Sequence, residues 1–420
     1  MTDVARVQHA TAQQTVASPV PNDRSTAGAR LDVCLLTGSH DRSYALGLAL
    51  SLAGEGVCVD FVGSDQLDAP ELHANPLIRF LNMRGDQTES VGALEKAIRL
   101  SRYYVRLLLY GAAARPRIFH ILWNNKIEFL DRTLLMLYYR LCGRRIVLTA
   151  HNVNAAARDG RDTRLNRLTL GIQYRLSDHI FVHTEKMKSE LRTHFSVPEE
   201  KVSVIPFGIN NTAPNTALTS LEARQRLGLR PSRRVALFFG QIAPYKGLEY
   251  LVAAASGLLA EDPELVLLIA GKVKKGAEQY WERVRAQLPA TRDRVITHVE
   301  HIPDADIEVY FKAADVLVLP YTRIFQSGVP FLSYSFGLPV VATDVGSLRD
   351  DVIEGETGFV CRPCDPAAVG EAVKSYFASE LHKNLHERRA KIARLANERY
   401  SWARVAEITA AAYRRVLLDH

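Results

Sequence analysis

From residue 31 onward the chain alternates short apolar runs with longer stretches of helical periodicity. LDVCLLTGSH is apolar over the length of a strand, SYALGLALSLAGEG has helical spacing closed by glycine, and VCVDFVG is a second apolar run. Strand, helix, strand in that order predicts a right-handed parallel crossover and an α/β sheet. The alternation continues through the strands RIFHILW, RIVLTAH, DHIFVHT and VSVIPFG, separated by the helical stretches DRTLLMLYYRLCG, residues 165–176 and EKMKSELRTHF. It ends near Gly208, where the polar, proline-bearing segment INNTAPNTALTS reads as a linker. A second alternation follows. Its strands are RRVALFFG, LVLLIAG, DRVITHVEH, ADVLVLPY, LPVVATDV and GFVCRP, and its helices include GLEYLVAAASGLLA, EQYWERVRAQL, DIEVYFKAA, a stretch after Ser327 and DPAAVGEAVKSYFASEL. Two doubly wound sheets facing across a cleft are expected, with ligands at the carboxyl ends of the strands.

The length of 420 residues suits two such domains, and 47% hydrophobic with 24% charged residues places the chain among globular proteins. The expected division is a disordered tail over 1–30, a first domain over 31–210, a second over 211–399, and a final helix over 400–420 returning to the first. Residues 1–30 lack the apolar centre of a signal peptide. Elsewhere Arg, Lys or Gly interrupts every apolar run before the ~20 residues of a membrane span. The net charge of +7 and a pI of about 9.1 favour anionic partners. Phosphorylated substrates or lipid headgroups fit better than nucleic acid, because no basic block, zinc-finger spacing or RNA-binding aromatic motif is present. Cys34, Cys58 and Cys142 sit in apolar surroundings and read as buried, whereas Cys361 and Cys364 read as loop cysteines. So few cysteines suit a reduced, cytoplasmic setting.

Chemistry concentrates in LFFGQIAPYKGLEYLV, where a strand ends at Gly240, a short loop carries Lys246 and Gly247, and a helix begins. Backbone N–H groups, a helix amino terminus and one ammonium can hold a phosphate there. A plain turn with a solvated lysine is the other reading. The segment AADVLVLPYTRIFQSGVPFLSYSFGLPVVATDVGSLRDDVIEGETGFVCRP sharpens the choice. With the Lys246 loop it resembles the signature region of family-4 glycosyltransferases and their GT-B relatives, through G-x-x-x-P-x-K-G, A-A-D-V-x-V-L-P, F-G-L-P-V-V-A-T-D-V-G and E-G-E-T-G-F-V in that order. The resemblance is clear over 234–361 and extends in weaker form over 31–208.

This resemblance implies a GT-B fold and transfer of a hexose from a nucleotide diphosphate sugar to a glycan acceptor, lipid-linked in polysaccharide or glycolipid assembly. The donor diphosphate is then held by Lys246 and by the run Gln326, Ser327, Gly328 and Val329, with Gly240, Gln241 and Ile302 on the same donor side. Two departures stand out. Gln241 replaces the usual basic residue after the loop glycine, and Ile324 and Leu332 occupy the positions of the paired glutamates E-x7-E. Q-S-G in their place resembles a bacterial branch of the family, in which Gln326 and Ser327 can donate hydrogen bonds to diphosphate or sugar oxygens. No D-x-D pair is placed for a metal-bound diphosphate, so metal-independent transfer without a cofactor is expected.

On the acceptor side, IVLTAHNVN ends a strand with His151, Asn152 and Asn154, resembling the H-N element of the same branch. His151, with Lys246 the candidate catalytic residue, can orient an acceptor hydroxyl, act as a base, bind an acceptor phosphate, or merely cap the following loop. Gly38, Ser39, His40, Asp41 and Arg42 form the first strand-to-helix loop, where Asp41 can also be a helix cap. Trp123, Asn124 and Asn125 follow another strand, while His120 within that strand reads as packed. KAIRLSRYYVRLLLYGAAARPR places arginines among leucines at helical spacing and suits either a solvated face or peripheral contact with an anionic membrane at its inner face. The missing glutamates keep open a catalytically silent nucleotide-sugar-binding partner. An epimerase on the same fold is a further alternative.

Overall fold

The computed structural model describes residues 31–38, 41–87, 92–125, 127–289 and 293–418. The expected tail over 1–30 and the loop residues Ser39 and His40 therefore lie outside the described residues. A first, seven-stranded parallel sheet is built from β1 (Asp32–Leu36), β2 (Cys58–Gly63), β3 (Ile78–Asn82), β4 (Ile118–Ile121), β5 (Arg145–Thr149), β6 (His179–Val182) and β7 (Val202–Val204), in the order β3-β2-β1-β4-β5-β6-β7. A second, six-stranded parallel sheet has the order β10-β9-β8-β11-β12-β13. Its strands are β8 (Arg234–Phe239), β9 (Leu265–Ala270), β10 (Val295–His298), β11 (Val316–Leu319), β12 (Val340–Thr343) and β13 (Gly358–Cys361).

Near-continuous Val, Ile, Leu and Phe runs make these strands, because helices cover both faces of a parallel sheet. β9 is buried along its whole length. β3 escapes the sequence pattern. It is an edge strand whose Arg79 reaches across to pair with Asp60 of β2, and two of its five positions, Arg79 and Asn82, are polar. Strand order reverses between β1 and β4 and again between β8 and β11, which opens a crevice at the carboxyl ends of both pairs. The loops after these four strands carry most of the candidate ligand-binding residues, with His151 and Asn152 following β5 and Ile302 following β10.

The terminal helix Trp402–Leu418 runs beside the helix Arg42–Gly54 of the first sheet's layer. Trp402 donates from Nε1 to the Ile209 carbonyl at 2.8 Å and lies flat over Gly47 and Gly208, where any side chain would collide with its ring. His120 is packed as expected, holding Tyr413 of that helix at 2.6 Å and Thr149 at 2.7 Å. Burial pushes its imidazole down to about 3, so it is neutral. All five cysteines are free thiols. Only Cys34 is fully buried. Cys58 opens β2 and Cys142 closes the helix Met136–Leu141, and at these ends both are partly exposed rather than buried as expected. Among the described residues no helix is long and apolar enough to cross a membrane.

Candidate active site

The donor-side loop is shaped by two glycines. Gly240 ends β8 with φ +115 and touches Gly271 so closely that a Cβ on the latter would lie 2.0 Å from the Gly240 carbonyl. Gly247, at φ +63, starts the helix Leu248–Glu261 against the Pro320 carbonyl, with equally little room. Lys246, just before it, is only 6% exposed. Its ammonium touches the Tyr321 hydroxyl and sits 4.0 Å from that ring's centroid. Among the described residues no carboxylate pairs with it. Desolvation, with Arg158 adding to it, brings its pKa down to about 7. A buried ammonium with no counter-charge is the arrangement an anionic ligand completes.

Ser327 continues this contact, its Oγ lying 3.4 Å from the Tyr321 hydroxyl. The backbone of Ile324 and Phe325 presses against Gly346, where a Cβ would lie 2.3 Å from the Ile324 carbonyl, and the Ser347 N–H donates to the Phe325 carbonyl at 3.1 Å. The following helix is shorter than the expected phosphate cradle requires. Val329–Ser335 has seven residues, Pro330 removes one N–H, and the Val329 N–H already points to Ser327 Oγ at 3.3 Å. A short helix carries little dipole, so Lys246 dominates this site. Gln241 follows Gly240 and is exposed, whereas the Ile302 side chain is packed in the core and leaves only backbone for a ligand. Ile324 and Leu332 are buried apolar residues where the glutamates are missing.

On the facing side, the indole of Trp123 stacks on His151 at 4.2 Å and 7°. His183, absent from the sequence reading, orients that imidazole. His183 Nδ1 lies 3.3 Å from the Ile205 carbonyl, which can only accept, so the proton sits on Nδ1. Burial lowers His183 to about 4 and keeps it neutral. Its Nε2 therefore accepts from His151 Nδ1 at 3.0 Å, which fixes the plane of the His151 ring. The HIFVHT sequence around His183 offered no signal, because the pairing joins the ends of β5 and β6.

Phe207 ties the two sides together. It lies 6.1 Å from the His151 ring and stacks on Phe331 at 5.3 Å and 14°, beside Gly328. Beneath His151 a cavity of about 220 Å³ is lined by Trp123, Asn124, Asn152, Arg132 and Gln173. Gln173 donates to Asn124 at 2.8 Å, and Arg132 reaches Glu128 and Asn166, each at 2.9 Å. Arg132 was not singled out by sequence, since it lies in a helix of otherwise core-forming spacing. Gly38 at φ +58 packs under the Trp123 carbonyl, where a Cβ would be 2.7 Å away, and so shapes the loop rather than offering a side chain. Asp41 caps its helix, accepting from Tyr44 N at 3.1 Å, and Arg42 is directed to the Asp68 carbonyl at 3.4 Å, away from the cavity residues.

Two facing Rossmann-like sheets with a phosphate-suited lysine loop on one side and a polar cavity on the other define a GT-B architecture. Residues 220–396 match the family described as glycosyl transferases group 1, and residues 42–212 match glycosyltransferase family 4. The two matches assign the second half of the chain to the group 1 glycosyltransferases and the first half to glycosyltransferase family 4. The chain is 30% identical over 257 residues to the D-inositol 3-phosphate glycosyltransferase of Streptomyces scabiei, a match covering 59% of this chain and 56% of that protein, so it spans about half of that relative's length. The protein of the same name from Corynebacterium efficiens is 24% identical over 88% of this chain and 89% of its own. Among solved structures, sucrose-phosphate synthase from Thermosynechococcus elongatus superposes with a TM-score of 0.68 at 21% identity, covering 93% of this chain and all of that one. Anabaena HepE in complex with UDP and glucose superposes at 0.70 and 16% identity, covering 92% of this chain and all of that one.

Proposed function

We propose that the chain transfers a hexose from a nucleotide diphosphate sugar to a glycan acceptor, lipid-linked in polysaccharide or glycolipid assembly, without a metal. The observation that carries this reading is the buried, uncompensated ammonium of Lys246 at the switch point of the second sheet. Its charge would meet the departing diphosphate in a dry site, where such contacts act most strongly on the transition state. His151 would orient the acceptor hydroxyl beside the Trp123, Asn124 and Asn152 cavity. The nucleotides in the HepE structure and in the ADP-bound starch synthase IV structure, a further superposing protein, support a nucleotide donor.

Membrane contact at the inner face belongs to the same reading. The helix Ala93–Ala113 leaves Leu94, Ile98, Val105, Leu108 and Leu109 exposed, with Arg102 and Arg106 beside them. Leu134, Leu137 and Leu141 extend the apolar surface on the adjoining helix, which the Tyr138 hydroxyl ties to the Leu108 carbonyl at 2.6 Å. Apolar side chains flanked by arginine suit a peripheral contact with an anionic leaflet.

The test combines ligand stabilisation with transfer. Melting temperatures in a panel of UDP, GDP and ADP sugars identify the donor, since a ligand of the folded state raises them. Transfer is then assayed with lipid-linked glycans and with D-inositol 3-phosphate, the acceptor named for the curated relatives. Lys246→Ala should lower turnover roughly a hundredfold, about 3 kcal/mol at the transition state. Near-normal turnover in that variant sinks the assignment. A wild-type chain that neither transfers nor hydrolyses any donor would instead be a silent binding partner.

A further inference from the structure

Gln326 stands at the mouth of the donor loop with its amide orientation dictated from behind. Its Nε2 lies 3.3 Å from Oδ2 of Asp351, a carboxylate only 8% exposed. That same Oδ2 accepts from Ser347 Oγ at 2.8 Å, and Oδ1 accepts from the Tyr400 hydroxyl at 3.3 Å. An ionised carboxylate has no proton to give, so the amide must turn its NH₂ toward it. The carbonyl oxygen Oε1 is then the free end. It is buried and has no hydrogen-bond partner among the described residues. A buried acceptor left without a donor costs free energy until something supplies one.

The expected role for Gln326 was to donate to diphosphate or sugar oxygens. One N–H of its amide is instead engaged by Asp351, and the atom left without a partner is the acceptor Oε1. A diphosphate at neutral pH presents acceptor oxygens and repels a carbonyl. A sugar hydroxyl presents a proton. We infer that Gln326 reads a hydroxyl of the transferred sugar through Oε1, and that Asp351 is the positioning residue that fixes this polarity. The inference rests on the nucleotide-sugar reading of the site and divides its labour: Lys246 holds the phosphates, and Gln326 takes a hydroxyl where the missing glutamates leave only Ile324 and Leu332. The close packing of the Ile324 and Phe325 backbone on Gly346 holds Gln326 over Asp351.

The experiment compares each nucleotide diphosphate with its own glucose or mannose conjugate, UDP with UDP-glucose and GDP with GDP-mannose, by isothermal titration of the full chain. Gln326→Leu should weaken the sugar conjugate about tenfold, the value of one hydrogen bond near 1.4 kcal/mol, and leave the diphosphate within about twofold. Asp351→Asn provides the second arm. Its new amide donor would pair with Oε1, turn the Gln326 NH₂ outward, and produce the same selective loss. Gln326→Glu, which keeps an acceptor, should retain more conjugate affinity than Gln326→Leu relative to its own diphosphate affinity. Equal losses for diphosphate and conjugate, or no loss in Gln326→Leu, overturn the assignment of Gln326 while leaving nucleotide binding intact. A wild-type chain that binds neither pair overturns the nucleotide-sugar reading itself, and the inference with it.

Discussion

At the scale of single residues, burial does more to define this site than residue identity. Lys246 in open solvent would be an ordinary cation. Desolvated beside Tyr321 and Arg158 it titrates near 7, so a diphosphate that favours the charged form must bring a proton with it at higher pH. The sign follows from the direction of the shift. Between pH 7 and 10.5 the ligand-free folded chain binds fewer protons at this site than the unfolded chain, and its stability from this group rises with pH. Diphosphate affinity should fall over pH 7.5 to 9.5, approaching about tenfold per unit. Titration calorimetry across that range, with proton uptake measured in two buffers, checks it. Lys246→Met should flatten the dependence, and a flat wild-type profile would show that the ammonium does not meet the ligand. The motif spacing made Lys246 legible as a phosphate ligand. Its isolation from carboxylates was not legible, because that depends on which side chains of β11's loop fold over it.

At the scale of elements, the strands after which the loops emerge were readable from their apolar runs, and the second sheet's six strands all fall where the pattern puts them. β3 was not, since an edge strand with Arg79 pairing Asp60 loses the apolar signature that a central strand must keep. The helix after Ser327 was legible as a helix but not as a seven-residue one with its first N–H already engaged. The helix Ala93–Ala113 left two readings open from its periodicity, and its exposed leucines favour the membrane-facing one. Replacing Leu108 and Leu109 by Ser should reduce co-sedimentation with vesicles containing anionic lipid by several-fold, because interfacial binding scales with the apolar area buried. Neutral vesicles should bind weakly throughout. Unchanged binding by that double variant would return the helix to a solvated role.

At the scale of the whole molecule, the two sheets are bridged across the crevice near the Lys246 loop. Lys274 of the second sheet's layer pairs with Asp159 of the first at 3.2 Å, and Arg158 lies 4.5 Å from the ring centroid of Tyr245. These contacts bring the His151 and Lys246 sides to within one crevice, and alignment of two reactants is worth more than either contact alone. Lys274→Ala combined with Asp159→Asn should loosen closure, giving a larger radius of gyration by small-angle scattering and a turnover lowered about tenfold. Diphosphate affinity for the second sheet should change little. An unaltered scattering curve and turnover would show that the bridge does not set the crevice.

The linear order of apolar runs and four short motifs determined the two-sheet architecture, the family and the position of Lys246, because parallel strands and phosphate loops are encoded by residues close together in the chain. Only the tertiary structure decided the partnership of His151 with His183, the cavity reached by Arg132, and the turn of the Gln326 amide toward Asp351. Each of these joins residues from separate strand ends, and the proton positions follow from burial and from which neighbour can only accept. Such facts arise when the strands are aligned side by side, so no spacing along the chain records them.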